Sequence, residues 1–402
     1  MKFEYCDEKD YLCIQTIEFM EIVNPFIITG EYISEEYFCD REFETNVLVD
    51  NIVNGRNTVL ISPRRMGKSG LIQHTFAQDK IKDYYLTFSI DLYAASSLSE
   101  MILFLGQAIT DSLKSKEKKA WDDFFSFVKS LRAGFTISPI TGELSFDISL
   151  GDITRPKDSL EEIFQYLESS ETPCLVAIDE FQQIAAFPEK NVLALLRTFV
   201  QKCKKTHFIF SGSKRRLMDK LFNSPSEPFY LSCSPLYLEP IVRDSYYDFS
   251  AGHFRKAGKD LSKDCFEYIY DTLEGHTWYM QRVLNELYAT TPAKGNATRE
   301  DFLKVLDFLI KLNTRTFEEM FSTISNSQKQ VLVAIARESK AKSVTSIAFV
   351  KKHSLKSPST VQSAINSLYE NETISKEQDA YFITNRFFAF WIRKQYTGLS
   401  FV

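Results

Sequence analysis

Residues 57–76 read NTVLISPRRMGKSGLIQHTF, and this stretch restricts the fold more tightly than any other part of the 402-residue chain. A short apolar run, "TVLIS", reads as a buried strand, and a helix is expected from about Lys68 to Gln78. Between them, "PRRMG" leaves room only for a tight loop. A strand that passes so directly into a helix belongs to an α/β sheet. It leaves the first N–H groups of the helix pointing into the loop, where an anion can accept from them. Gly67, Lys68 and Ser69 complete the pattern G-x-x-x-x-G-K-[ST] except at its first position, which is Ser62. Glycine at that position mainly permits an unusual turn. Serine followed by Pro63 requires ordinary dihedrals but removes no phosphate-contacting group. The expected nucleotide loop is therefore Ser62, Pro63, Arg64, Arg65, Met66, Gly67, Lys68, Ser69 and Gly70.

A second motif strengthens the first. "CLVAIDEFQQI" carries Asp179 and Glu180 at the C-terminal end of an apolar strand, where an α/β sheet presents its ligand groups. Asp179 together with Ser69 is expected to hold Mg²⁺, and Glu180 to orient or deprotonate an attacking water. Capping of the following helix is the structural alternative for this acidic pair. In "HFIFSGSKRR", Ser211 and Ser213 end a further strand between the other two sites and suit sensing of a γ-phosphate or the water. A plain Ser-Gly turn accounts for them as well. Arg64 and Arg65, inside the loop, could reach the phosphates or clamp a neighbouring acid, and Arg215 and Arg216 are further candidates for a charge-stabilising arginine.

The rest of the chain alternates strand and helix ("YYLTFSIDLY", "SLSEMILFLGQAITDSL", "SLEEIFQYLES", "NVLALLRTFVQKCK"), which predicts a three-layer parallel sheet. Residues 115–158 interrupt that order with a charged helix and "FTISPITGELSFDISL", a β-hairpin signal around Thr141-Gly142. From about Asp244 the strands stop, and four helical stretches predict an all-α lid over 244–324. The last segment, 325–402, reads as three helices, two strands and a terminal helix, a winged helix-turn-helix. Residues 1–23 form an N-terminal extension in which Met20 is a candidate start, and 24–243 form the α/β core.

Composition excludes several classes. No run approaches the roughly 18–20 apolar residues of a membrane helix. The first residues carry acids where a secretory leader has lysines, so the expected compartment is the cytoplasm. Seven scattered cysteines include no C-x-x-C pair, and five isolated histidines add no metal spacing. The net charge of −5 argues against a chain that coats nucleic acid throughout. It is uneven, however: from Asn326 onward there are 11 Lys/Arg against 5 Asp/Glu, a surplus of six, leaving −11 on the remainder.

"YFCDREFE", "ISPRRMGKSGL", "CLVAIDEFQQI" and "FSGS", in this order, resemble the archaeal-type P-loop ATPases of the AAA/STAND group. The resemblance extends from about Asn24 to the end. It implies a RecA-like core, a helical lid, a C-terminal winged helix, and ATP with Mg²⁺. It further implies that the segment Phe38–Arg41 lies against the adenine, with Phe38 and Arg41 as contacts, and that Lys68 serves the β/γ-phosphates. The chain departs from the family at Ser62 (usually Gly), at Thr277 (proline in the lid motif), and at Asn385 and Arg386 (Asp-Pro before the last helix). In the winged helix, Ser359, Thr360, Gln362 and Ser363, supported by Lys351, Lys352 and Lys356, could reach DNA. The same helix could instead pack on the lid or on a protein partner. Three functional readings follow: an ATPase acting as a conformational switch, an ATP-sensing DNA-binding regulator with negligible turnover, and a nucleotide-driven assembly platform that binds a protein client or forms a homo-oligomer.

Overall fold

The computed structural model describes residues 24–28, 32, 34–114, 124, 135–137, 144–146, 153 and 155–398. After helix α1 (Glu42–Val53) come β1 (Thr58–Ile61), α2 (Lys68–Phe76), the short α3 (Asp79–Lys82), β2 (Leu86–Asp91) and α4 (Leu98–Lys114). The core continues with α5 (Pro156–Ser169), β5 (Cys174–Asp179), α6 (Val192–Lys202), β6 (Thr206–Gly212), α7 (Arg215–Asn223) and β7 (Ser234–Tyr237). Five strands form one parallel sheet in the order β2-β5-β6-β1-β7.

The period-two alternation of side chains explains why these strands read as continuous apolar runs. Val59, Ile61, Val176, Ile178, Phe208 and Phe210 face one core with α4, α5 and α6, while Leu60, Leu175, Ala177 and Ile209 face the other with α1 and α2. Both faces are buried, so neither can be polar. The result is the predicted three-layer, RecA-like arrangement. The hairpin is present: β3 (Phe135–Ile137) pairs antiparallel with β4 (Leu144–Phe146), Phe135 opposite Phe146. The charged helix expected just before it lies outside the described residues, apart from helical, buried Phe124.

The C-terminal region departs from expectation in detail. Helices α8 (Arg243–Lys256), α9 (Lys263–Leu273), α10 (Thr277–Thr290) and α11 (Arg299–Leu312) are joined by a fifth, α12 (Thr314–Thr323). The strands do not stop at Asp244. Two-residue strands β8 (Asp260–Leu261) and β9 (Asn296–Ala297) pair in parallel, because the turns at Gly258 and Gly295 meet: Lys294 N–H donates to Gly258 C=O (2.7 Å) and Asp260 N–H to Gly295 C=O (2.8 Å). In the winged helix, α13 (Asn326–Glu338), α14 (Ile347–Lys352), α15 (Pro358–Glu370) and α16 (Arg386–Tyr396) surround β10 (Ala341–Lys342), β11 (Ile374–Glu377) and β12 (Ala380–Ile383). The predicted hairpin thus gains a third strand, in the order β10-β12-β11. One hydrophobic core runs through α8–α16, with Phe317 and Phe321 of α12 packed on Trp391 of α16. No described helix is long and apolar enough to cross a membrane.

Candidate functional site

The loop after β1 answers the question raised by Ser62. Ser62 is 1% exposed, and its φ is not in the left-handed region; positive φ falls instead at Arg65 (65°) and Gly67 (93°). The turn is therefore made at Arg65 and Gly67, the residues either side of Met66, without strain at Ser62, whose hydroxyl donates to Pro63 C=O (3.0 Å). Gly67 opens α2, no side chain caps that helix, and a Cβ built on Gly67 meets nothing within 4 Å. The first N–H groups of α2 therefore stand at the dipole's positive end with no capping side chain.

Lys68 is only 6% exposed, yet its ammonium has just three long contacts, to Ser62 C=O (3.4 Å), Ser62 Oγ (3.5 Å) and Pro63 C=O (3.4 Å). Burial pushes its pKa down, while Asp179, Glu180 and Asp91 pull it back up and Arg64 opposes them. A buried cation bonded this weakly is poorly compensated, and an anion in the loop would supply what its neighbours do not.

Strands β5 and β6 bring the acids to the same edge. Asp179 accepts from Ser69 Oγ (2.8 Å), from Ser211 Oγ (2.5 Å) and from the Glu180 N–H (2.9 Å). Glu180, left-handed at φ 51°, accepts at Oε2 from Ser213 Oγ (2.7 Å) and from Gln182 Nε2. Ser211 and Ser213 are two residues apart at the end of one strand, so each serves one carboxylate. Because β6 lies between β1 and β5, the two serines stand between the loop and the acidic pair.

The remaining sequence-selected residues scatter more widely. Phe38 stacks on His74 of α2 (centroids 4.1 Å), and Cε2 of its ring lies 3.8 Å from where a Cβ on Gly70 would stand. Arg41 does not join the loop: buried at the N-cap of α1, it pairs with Glu44 (2.7 Å). Arg64 pairs with Glu372 (3.3 Å), and Arg65 lies over the Trp278 ring (4.3 Å). Arg215 stacks on Tyr237 (4.9 Å), and Arg216 is exposed. On α15, Ser359, Gln362 and Ser363 are exposed opposite buried Val361, Ala364 and Ile365, while Thr360 is engaged with Ser357 at the helix cap. Lys351 and Lys356 are exposed, and Lys352 pairs with Glu338 (2.5 Å).

Several site neighbours, Asp91, Trp278 and Glu372 among them, were not singled out from the sequence. Asp91 ends β2 in register with Asp179, and burial raises its carboxyl, with Asp179 and Glu180 adding to the effect. Thr277 Oγ1 donates to Met66 C=O (3.3 Å) and the Trp278 N–H to Arg65 C=O (3.1 Å), so the first turn of α10 rests on the loop backbone. Thr277 thus ties the lid to the loop backbone. Asn385 caps α16 through the Phe388 N–H (3.1 Å), and Arg386 forms a forked pair with Glu274 (3.2 and 2.7 Å). Glu372, at the turn before β11, also takes Lys214 (2.6 Å). Thr277, Asn385 and Arg386, noted in the sequence as departures, were the local signals that pointed to this junction.

Among the described residues, no group of three His, Cys, Asp or Glu could hold a metal. This donor set nonetheless fits Mg²⁺, which usually takes one or two protein ligands and completes its shell with water and substrate phosphates.

A family model described as an ATPase domain predominantly from Archaea matches residues 38–283, and one described as a probable winged helix domain matches 315–394. Among solved structures, the chain is similar to a Walker-type ATPase of Pyrococcus abyssi, with 20% identity over 92% of this chain and 99% of that one, at a TM-score of 0.61. It is also similar to the ORC2 protein of Aeropyrum pernix solved as ADPNP–ADP complexes, with 11% identity over 93% and 98% of the two chains, at a TM-score of 0.53. At these identities the likeness is one of fold. No curated protein matches the chain.

Proposed function

The chain belongs to the family of ATPase domains found predominantly in Archaea and is an ATPase; from that premise we propose that it works as a Mg²⁺-dependent conformational switch whose nucleotide state is read by the lid and the winged helix. The uncapped N-terminus of α2 and Lys68 receive the β/γ-phosphates. Ser69 and Asp179 hold Mg²⁺, which when bound neutralises phosphate charge. Glu180 orients the water and takes its proton as the bond from the γ-phosphorus to the bridging oxygen breaks, giving ADP and phosphate. Phe38, beside Gly70 on α2, is placed to meet the base.

The observation that carries the switch is Glu372. This winged-helix carboxylate bridges Arg64 of the loop and Lys214 just after β6, so one side chain ties the distant module to both sides of the site. All three groups are part-exposed, so each pair contributes about 0.2–1 kcal/mol and is weakened by salt. Contacts of that size can be traded when phosphate competes for the same cations. Trp278, one of three tryptophans, reports on the loop because it lies under Arg65. ATP and ADP are expected to produce different Trp278 emission, a difference that disappears in Trp278→Phe. Glu372→Gln is expected to tighten ATP binding about two- to fivefold at low salt. Identical emission with ATP, ADP and no nucleotide would sink the switch.

A second reading, DNA binding, is favoured by the exposed polar face of α15 beside Lys351 and Lys356. It predicts duplex affinity that falls steeply with salt and is lowered by Lys356→Ala. Affinity independent of salt, or equal in the variant, speaks for a protein partner on that face.

A further inference from the structure

The acidic pair leaves one side chain unexplained. Gln182, two residues past Glu180 in the short helical turn Phe181–Ala186, is 2% exposed. A buried primary amide ordinarily satisfies both ends. Here Nε2 donates to Glu180 Oε2, while Oε1 is buried without a partner. Leaving an amide oxygen unbonded in the interior costs free energy that better packing with an apolar side chain would avoid, so its place against Glu180 asks for another reason.

The backbone beside it is shaped to admit this amide. A Cβ on Gly212 would stand 2.3 Å from Gln182 Oε1 and 2.5 Å from Met218 Sδ, so a residue with a side chain at 212 would displace the amide. The φ of Gly212 does not require glycine, which leaves close approach as the reason for it. Glu180 itself is held in a left-handed conformation at the end of β5, a setting in which its carboxylate direction depends on what grips it.

We propose that Gln182 is a positioning residue for hydrolysis: with Ser213 it clamps one oxygen of Glu180, leaving Oε1 of Glu180 as the oxygen that meets the attacking water. The two donors come from different elements, Ser213 from the end of β6 and Gln182 from the turn after β5, so the carboxylate is fixed against rotation. The hydrogen bond of Gln182 runs to Glu180 and not to the nucleotide loop or Ser69, so the clamp acts on turnover and not on capture. The inference rests on the role of Glu180 proposed above.

The test uses the full chain and Gln182→Met, which keeps the volume and removes the donor. Turnover under saturating MgATP is expected to fall about 10- to 100-fold. ATP affinity stays within about twofold, so the loss falls on kcat and not on binding. Gln182→Glu, the same shape with a second carboxylate, is expected to fall further, because it cannot donate to Glu180 and repels it. Gly212→Ala is expected to reproduce the Gln182→Met profile if it folds; the Gln182 variants decide the matter if it does not. Unchanged kcat in folded Gln182→Met, with turnover lost in Glu180→Gln, overturns the clamp while leaving the role of Glu180 intact. Parent turnover that survives Glu180→Gln overturns both.

Discussion

Lys68→Ala is expected to abolish measurable ATP turnover and to weaken ATP binding by at least about 100-fold. The ammonium is buried under the loop with no acid in hydrogen-bond contact, held only by three contacts of 3.4–3.5 Å to Ser62 and Pro63. Its burial pushes the pKa down, a cost that phosphate charge would relieve on binding. Alanine removes that charge and opens no polar gap, because the oxygens it contacted are two carbonyls and a hydroxyl already bonded to Pro63. The fold is therefore expected to survive, with melting temperature in the absence of nucleotide close to the parent. Titration of ATP by calorimetry, with turnover measured alongside, checks both halves. Wild-type affinity in a folded variant would mean that the nucleotide is held elsewhere.

Glu180→Gln is expected to separate binding from chemistry. A positioned general base contributes roughly 10²–10⁴ in rate, so kcat falls by that factor while ATP binds about as tightly as in the parent. The amide keeps the shape of the carboxylate but turns one acceptor into a donor, which meets Ser213 and Gln182 awkwardly and cannot take the proton. The variant would accumulate in its ATP-bound state, giving the Trp278 emission of that state persistently. Single-turnover measurements with radiolabelled ATP read the chemical step directly. An unaffected rate would remove Glu180 from the mechanism and leave Asp91, the third acid at this edge, as the group to examine.

How much of this was legible from residues alone depended on the range of the interactions involved. β1, the loop, α2 and β5 were readable because apolar runs and helical spacing report burial locally, and the order of the pieces implied a parallel sheet. The hairpin at 135–146 was readable for the same reason. The ladder β8–β9 was not: two residues carry no periodicity, and the pairing depends on the turns at Gly258 and Gly295 meeting. Helix α12 was passed over although Phe317 and Phe321 lie four apart, because its buried face is completed by Trp391, far along the chain. Arg41 adjoins Phe38 in sequence, but the left-handed turn at Asp40 and Arg41 sends its side chain to Glu44.

By itself the sequence determined the class of the molecule: a strand–loop–helix that presents N–H groups, a lysine and a hydroxyl to phosphate, and an acidic pair at a strand end. Those are local statements, set by φ preferences, hydrogen-bond geometry and hydrophobic period. Only the tertiary structure decided what surrounds them. Ser69 meets Asp179 across 110 residues of chain, Gln182 fits against Gly212 of another strand, and Glu372 reaches back to Arg64 and Lys214. Such contacts join side chains whose separation along the chain carries no signal, and they exist because burying both faces of one sheet and a continuous helical core leaves the polar groups at their edges in each other's reach.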